Sequence, residues 1–415
     1  MWTEGIDIFE TRLLQLGSQV YFGCGSIGRI DEVLEEMKKK GAEKLLLATG
    51  KNSYRRCGGF QILQDAFVRH NMQFFHYDRI SANPAGEEID DIVQKCRKEK
   101  VQGVLAMGGG SVINAGKIIS LLLAMESPAG AEALFTGEAA FSRALPLAVI
   151  NLTHGTGSEV TPFAVLHIRK SLTPLISSPF FYPDWAIDDP MLTCSLPKEE
   201  SKYVTMEALN YAIESATSRE SNVLSILFAK ETVRLIVKYL PLAEKNPQDL
   251  TARYFLMFAA LLAGAAYDNS HHRITRTPIQ HPVSTLKPEL PHGQGLTALL
   301  PSCIKEAYPR NGKVLSRILQ PISPDLTGNV EEAETAAFAM ENWLTASGMP
   351  GTLQDIGFVR EDIDALVEAS FQSPTLSLLL TVTPTEGSKS AVRALFDDAF
   401  TPGSSRNHTG REKRE

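Results

Sequence analysis

Short apolar runs, closed by glycine or by polar clusters, alternate with amphipathic stretches through the first half of the chain. "EKLLLATG" (residues 43–50), "MQFFHYDRI" (72–80), "VQGVLAMGGG" (101–110) and "LPLAVINLTHGTGS" (145–158) have strand length and little polar interruption, as strands buried on both faces do. Between the second and third, "EEIDDIVQKCRKEK" (87–100) repeats its apolar residues at helical spacing. Strand–helix alternation at this spacing predicts a parallel sheet with helices on both faces.

After "PDWAIDDP" (183–190) the texture changes. From about Ser201 onward, "ETVRLIVKYLPLAEK", "ARYFLMFAALLAGAAYD", "EEAETAAFAMENWLTASG" and "REDIDALVEAS" all carry helical periodicity, and strand signals nearly vanish. The expected organisation is an α/β domain over residues 1–189 and an all-helical domain over 190–400, with a ligand in the cleft between them. The last stretch, "TPGSSRNHTGREKRE" (401–415), has no apolar residues and is expected to be a disordered tail. There is no internal repeat.

Composition narrows the class. At 415 residues, 43% hydrophobic and 21% charged, the chain is globular and long enough for two or three domains. A formal net charge of -7, spread along the chain, argues against a nucleic-acid partner. Five scattered cysteines without a CxxC fit a reducing compartment rather than a disulfide frame or zinc knuckle. No basic-then-apolar leader opens the chain and "ISLLLAM" is too short to span a bilayer, so a cytoplasmic protein with no membrane partner is expected.

Candidate chemistry begins with two glycine loops. Gly108, Gly109, Gly110 and Ser111 lie between a predicted strand and a predicted helix. Backbone without side chains lets amides approach an anion, and a helix amino terminus favours negative charge, so a cofactor pyrophosphate is the natural guest. In "NLTHGTGSEVTPF" (151–163), Thr153, Thr156 and Ser158 offer hydroxyls around Gly155 and Gly157, suited to cofactor ribose or amide groups. Two such loops at neighbouring strand ends reinforce each other, because ligands in open α/β sheets sit outside the carboxyl ends of the strands. Further on, "TMEALNYAIESATS" (205–218) reads as a helix with Glu207, Tyr211 and Glu214 on one stripe. Taken alone, that stripe is best read as a solvated face.

The motifs "GGGSVINAGK", "THGTGSEVT", "PDWAIDDP", "MEALNYAIES" and "HPV…PHGQG", in this order and spacing, resemble the iron-containing (group III) alcohol dehydrogenases. The resemblance covers nearly the whole chain. It implies an amino-terminal dinucleotide-binding domain joined to a helical carboxyl-terminal domain, NAD or NADP as cofactor, a small alcohol or aldehyde as substrate, and a homodimer. The pyrophosphate loop carries over to Gly108, Gly109, Gly110 and Ser111, with Asn114 where the family usually has Asp and Lys117 retained. The second loop keeps Thr153, Thr156 and Ser158, while Leu152 and His154 replace Thr and Ala. Lys170 resembles the family lysine that reaches toward the cofactor, and His281 the histidine near the nicotinamide. Gly50 stands where NAD-preferring relatives commonly have an Asp that bonds the adenosine ribose, which puts NADP slightly ahead of NAD.

The implied metal site is where this chain departs from the family pattern. Members binding Fe²⁺ or Zn²⁺ use an Asp and a His one helical turn apart, plus two later histidines. Here those positions hold Glu207, Tyr211, Thr277 and His292, so the stripe looks like a metal site whose ligands have been replaced. A shifted alignment would bring in His271 or His272. Without a metal, Tyr211 beside His281 or Lys170 is a sensible general acid. Two functions follow: hydride transfer between a nicotinamide cofactor and a small alcohol or aldehyde, or a non-catalytic nucleotide-binding or assembly subunit.

Overall fold

The computed structural model describes residues 9, 12–15, 17–125, 129–136, 141–166, 175–270, 277–287, 289–372 and 388–400. The first part runs β1 (Arg12–Gln15), β2 (Gln19–Phe22), α1 (Ile30–Lys39), β3 (Lys44–Thr49), α2 (Ser53–Arg56), α3 (Gly59–Arg69), β4 (Gln73–Tyr77), α4 (Gly86–Lys98), β5 (Gly103–Gly108), α5 (Gly110–Ala124), α6 (Ala131–Thr136), β6 (Leu147–Asn151), β7 (Phe163–Val165), β8 (Leu175–Ser177) and β9 (Trp185–Asp188). Seven strands form one sheet in the order β1-β2-β9-β6-β5-β3-β4, parallel except for β1, and β7 and β8 form a separate hairpin. All four strands expected from the apolar runs are present. β5 and β6 are buried along their whole length, and β3 is buried after Lys44, which is why their sequences lack polar alternation.

The chain runs outward from β3 to β4, then crosses back to β5 on the other side of β3. This reversal opens a crevice at the carboxyl ends of β3 and β5, the usual place for a ligand in such a sheet. Gly50 and Gly108–Ser111 sit at those two ends.

The helical part continues with α7 (Lys198–Thr217), α8 (Val223–Lys245), α9 (Leu250–Asn269), α10 (Thr277–Leu286), α11 (His292–Ile318), α12 (Ala333–Ala346), α13 (Ile363–Gln372) and a terminal helix, Lys389–Ala399. Its core gathers Val283, Leu299, Cys303, Leu353, Phe358, Leu366 and Phe396.

The chain divides into two compact units, but not at a single cut near residue 190. One comprises Met1–Ser201 with Leu242–Ala265, the other Lys202–Pro241 with Ala266–Glu415. Most of α9 therefore belongs with the sheet. By length and composition α9 would cross a bilayer, yet 78% of its apolar window is buried inside the protein. The Phe22 ring at the end of β2 packs edge-on against Tyr254 at 4.9 Å and against Phe258 at 5.5 Å. A helix apolar on every side is a core helix here, and the sheet unit supplies much of what it packs on.

Candidate active site

Register aligns the carboxyl edge of the sheet. Gly108 of β5 lies opposite Asn151 of β6, and Asn151 opposite Asp188 of β9. The chain leaves β5 through Gly109, which caps α5 in an extended conformation (φ -86°, ψ -169°). No left-handed backbone is needed, so the glycines answer to space. A Cβ on Gly109 would lie 2.8 Å from Thr153 Cγ2, and one on Gly110 would lie 2.7 Å from Thr156 Cγ2. The two loops expected from the sequence are thus brought into contact, with the threonines of one seated on the glycine backbone of the other. The amides of Gly110 and Ser111 open the first turn of α5, where no intrahelical carbonyl is available to them.

Side chains around this turn divide into committed and uncommitted groups. Ser111 Oγ accepts from the Asn83 amide at 3.2 Å. Asn114 Oδ1 is buried with no hydrogen-bond partner, an orphaned acceptor one turn into α5 that suits a cavity filled by a ligand donor or water. Lys117 is fully buried and donates to the carbonyls of Thr161 at 2.8 Å and Phe163 at 2.9 Å. Its ammonium ties α5 to the segment after the second loop. Lys170 lies outside the described residues.

The second loop is anchored at both ends. Asn151 Oδ1 accepts from the Thr153 amide at 3.0 Å. Gly157 (φ +59°) packs so closely on α9 that a Cβ would lie 2.6 Å from Gly264 Cα. In the middle, His154 is fully buried, with Nε2 3.2 Å from Ser201 Oγ. Ser158 donates its amide to Thr156 Oγ1 at 3.3 Å.

Sequence reasoning missed two acids beneath this loop. Glu159 and Asp188 are 1% and 0% exposed, and none of their four carboxylate oxygens has a hydrogen-bond partner. Burial pushes Glu159 up to about 7 against the pull of the Lys117 ammonium. Asp188 is raised well above the usual carboxylate range by burial first and by Glu159 second. The apolar run at residues 185–187 leading into Asp188 is the sequence signal that points to a buried position there. By contrast Asp189 accepts from the amides of Gly25, Ile27 and Met191, at 3.1, 3.1 and 3.0 Å, and serves as a structural clasp.

In the other unit, the stripe on α7 is not a solvated face. Glu214 is 1% exposed and accepts from Asn210 Nδ2 at 3.2 Å, while Glu207 and Tyr211 are half-buried. The Tyr211 ring tilts over Tyr267 at 5.2 Å. Burial, then the Glu207 and Glu214 carboxylates, raise the Tyr211 phenol far above its ordinary value, so it stays protonated. His292 is the first residue of α11, and burial pushes its imidazole down to about 4. Thr277 opens α10, and His281 lies on the same helix. The side chains of both, and all of His271 and His272, lie outside the described residues.

Two glycines of "PHGQG" draw these helices together. A Cβ on Gly293 would lie 2.2 Å from the Tyr203 carbonyl of α7, and one on Gly295 would lie 2.8 Å from Gln280 Nε2 of α10. Gln294 Nε2 adds a 2.6 Å hydrogen bond to Tyr203 Oη. The positions expected for a metal are therefore carried by helices in close contact, but the donors there do not suit an iron or zinc ion. Where the family pattern has an Asp and three histidines, the donors are the Glu207 carboxylate, a phenol held protonated, a threonine hydroxyl and one imidazole, of which only Glu207 and His292 are ordinary ligands for such an ion. Among the described residues, no group of three or more His, Cys, Asp or Glu side chains is placed to hold a metal ion.

Comparison with known proteins agrees with this architecture. Residues 17–190 match the family model of iron-containing alcohol dehydrogenase, and residues 202–400 match that of the carboxyl-terminal domain of the Fe-containing alcohol dehydrogenase family. The chain is 38% identical to the long-chain primary alcohol dehydrogenase of Thermoanaerobacter ethanolicus, over 96% of this chain and 100% of that one. It is 26% identical to the 1,3-propanediol dehydrogenase of Klebsiella pneumoniae, over 92% and 96%. Among solved structures, NADH-dependent butanol dehydrogenase A from Thermotoga maritima superposes with a TM-score of 0.81 at 26% identity, covering 95% of this chain and 100% of that one. Sulfoacetaldehyde reductase from Bifidobacterium kashiwanohense, in complex with NAD+, superposes with a TM-score of 0.78 at 25% identity, covering 93% and 97%.

Proposed function

The chain belongs to the iron-containing alcohol dehydrogenase family and is an oxidoreductase acting on alcohols; within that class we propose that it works with NADP ahead of NAD and without a metal at the family position. The nicotinamide supplies the hydride chemistry. The observation that carries the cofactor reading is the pair of interlocked glycine loops at the strand-order reversal, with the α5 amino terminus facing the crevice. The Gly110 and Ser111 amides would hold pyrophosphate oxygens, and Thr153 and Thr156 would close the other wall. Relatives that match over 96% and 86% of the chain are alcohol dehydrogenases, which favours this reading over the non-catalytic alternative.

The preference for the 2′-phosphorylated cofactor rests on Gly50. A Cβ there would meet nothing closer than the Ile80 carbonyl at 3.7 Å, so packing does not require glycine. What the position lacks is a carboxylate, and Lys51 and Arg56 are exposed close by. Arg55 is partly committed, bonding Tyr54 Oη at 2.6 Å and Asp78 at 3.2 Å. Gly50→Asp is therefore expected to fold normally, weaken NADPH binding by about tenfold or more, and leave NADH binding as tight or tighter. Fluorescence titration with both cofactors checks it, and wild-type protein that binds NADH more tightly than NADPH overturns the preference.

On the substrate side, the protonated Tyr211 phenol is the proposed proton donor to the carbonyl oxygen during aldehyde reduction, with His281 relaying the proton. Tyr211→Phe should lower kcat for a short aldehyde by roughly a hundredfold, the lower end of general-acid effects, with cofactor affinity unchanged. Elemental analysis of protein purified without chelator is the companion test. Near one Fe or Zn per chain, lost in His292→Ala, would overturn the metal-free reading.

A further inference from the structure

The middle of the second loop is held by a buried polar chain that the cofactor chemistry does not use. Arg253 of α9 is 1% exposed, donates from Nε to the Pro247 carbonyl at 3.0 Å and from Nη1 to Ser201 Oγ at 2.8 Å. Among the described residues no carboxylate pairs with it. A guanidinium only donates, so Ser201 Oγ accepts from Arg253, and the same oxygen lies within hydrogen-bond reach of His154 Nε2, 3.2 Å away. The other ring nitrogen, Nδ1, is buried without a partner, so Ser201 is the contact that holds the imidazole. Burial, and then the Arg253 charge, press the imidazole down to about 3, so the chain keeps one protonation state throughout neutral pH.

Its position gives this chain a consequence. His154 sits between Thr153 and Thr156, the two residues seated on Gly109 and Gly110. Asn151 fixes the loop before His154, and the Gly157–Gly264 contact fixes it after. Arg253 and Gly264 both belong to α9, so that helix is the back-plate for the whole turn.

We infer that His154, held by Ser201 and Arg253, is a positioning residue that sets the Thr153–Thr156 wall against the pyrophosphate loop and thereby tunes cofactor affinity. This rests on the proposed cofactor site. Loss of the imidazole leaves the turn tethered only at its ends, and affinity falls without a change in the chemical step.

The test measures NADPH and NADH dissociation constants by fluorescence for the wild type, His154→Ala, Ser201→Ala, the double variant and His154→Gln. Glutamine can present its amide near the place of Nε2 and keep a hydrogen bond to Ser201. His154→Ala and Ser201→Ala should each weaken binding about tenfold, with kcat at saturating cofactor nearly unchanged. The double variant should be no worse than either single one, since both break one chain. His154→Gln should recover much of the loss, and the ratios should stay constant from about pH 6 to 9. Wild-type affinity in a folded Ser201→Ala protein overturns the inference, even if His154→Ala is poorly folded. Additive losses, or a loss confined to kcat, also overturn it. A wild type that binds neither cofactor would overturn the cofactor reading itself and the inference with it, an outcome distinct from tight wild-type binding with indifferent variants.

Discussion

Gly293→Ala is expected to destabilise the helical unit by about 3 kcal/mol or more, the upper range for forcing atoms into a filled site. The added Cβ would lie 2.2 Å from the Tyr203 carbonyl oxygen and 2.8 Å from its carbon, both backbone atoms of α7. Neither can rotate away, so α11 must move off α7. His292 is the preceding residue and Glu207 lies one turn beyond Tyr203, so the same displacement should abolish aldehyde reduction in whatever protein still folds. Gly295→Ala offers a graded comparison. Its nearest neighbours are the flexible end of Gln280 at 2.8 Å and Val283 Cγ1 at 3.2 Å, and a smaller loss is expected. Gly28→Ala meets nothing within 4 Å and should change stability by less than about 0.5 kcal/mol. Urea unfolding of the three variants gives the ranking. A Gly293→Ala midpoint equal to that of Gly28→Ala would show that the helix contact is not as close as described.

This contact shows how far the sequence could be read. "PHGQG" was legible as the place of His292, and its glycines were not legible as spacers, because their need arises from helices distant in sequence. β3, β5 and β6 were legible because central parallel strands announce themselves as unbroken apolar runs, whereas β4, expected to be buried on both faces, is an exposed to partly buried edge strand. β9 was read only as a boundary: four residues between "PD" and "DP" are too few to display a period. α9 was legible as a helix and was expected in the helical domain, whereas most of it belongs with the sheet unit, because its partners, Phe22 and Gly157, are set by tertiary packing. The stripe on α7 reads as surface because Glu is usually solvated and Tyr often partly so. Its burial depends on neighbours that the helix's own sequence does not name.

Buried acids are the hardest residues to find from sequence, and Glu159 gives the second large expectation. Its folded pKa of about 7 lies above the ordinary value of 4.5. Between those values the folded protein binds more protons than the unfolded chain, so stability is greatest below pH 4.5 as far as this group is concerned. It declines as pH rises and levels off above about 7. Asp188 is raised by the same burial and adds to the fall with the same sign. Lys117 opposes it, but its three donors are already taken up by backbone carbonyls and the Thr161 hydroxyl, so its ammonium does not depend on Glu159 for partners. Glu159→Gln removes the proton requirement while keeping nearly the same shape. The variant should match the wild type near pH 5 and exceed it at pH 8, with a flatter profile of urea midpoint against pH. Asp188→Asn should flatten the profile in the same direction. Combining the two should gain less than the sum, since Glu159 is itself one cause of the Asp188 shift. A Glu159→Gln profile parallel to the wild type would mean that water or another charge reaches the carboxylate and that the acid beneath the cofactor loop is already ionised in the folded state.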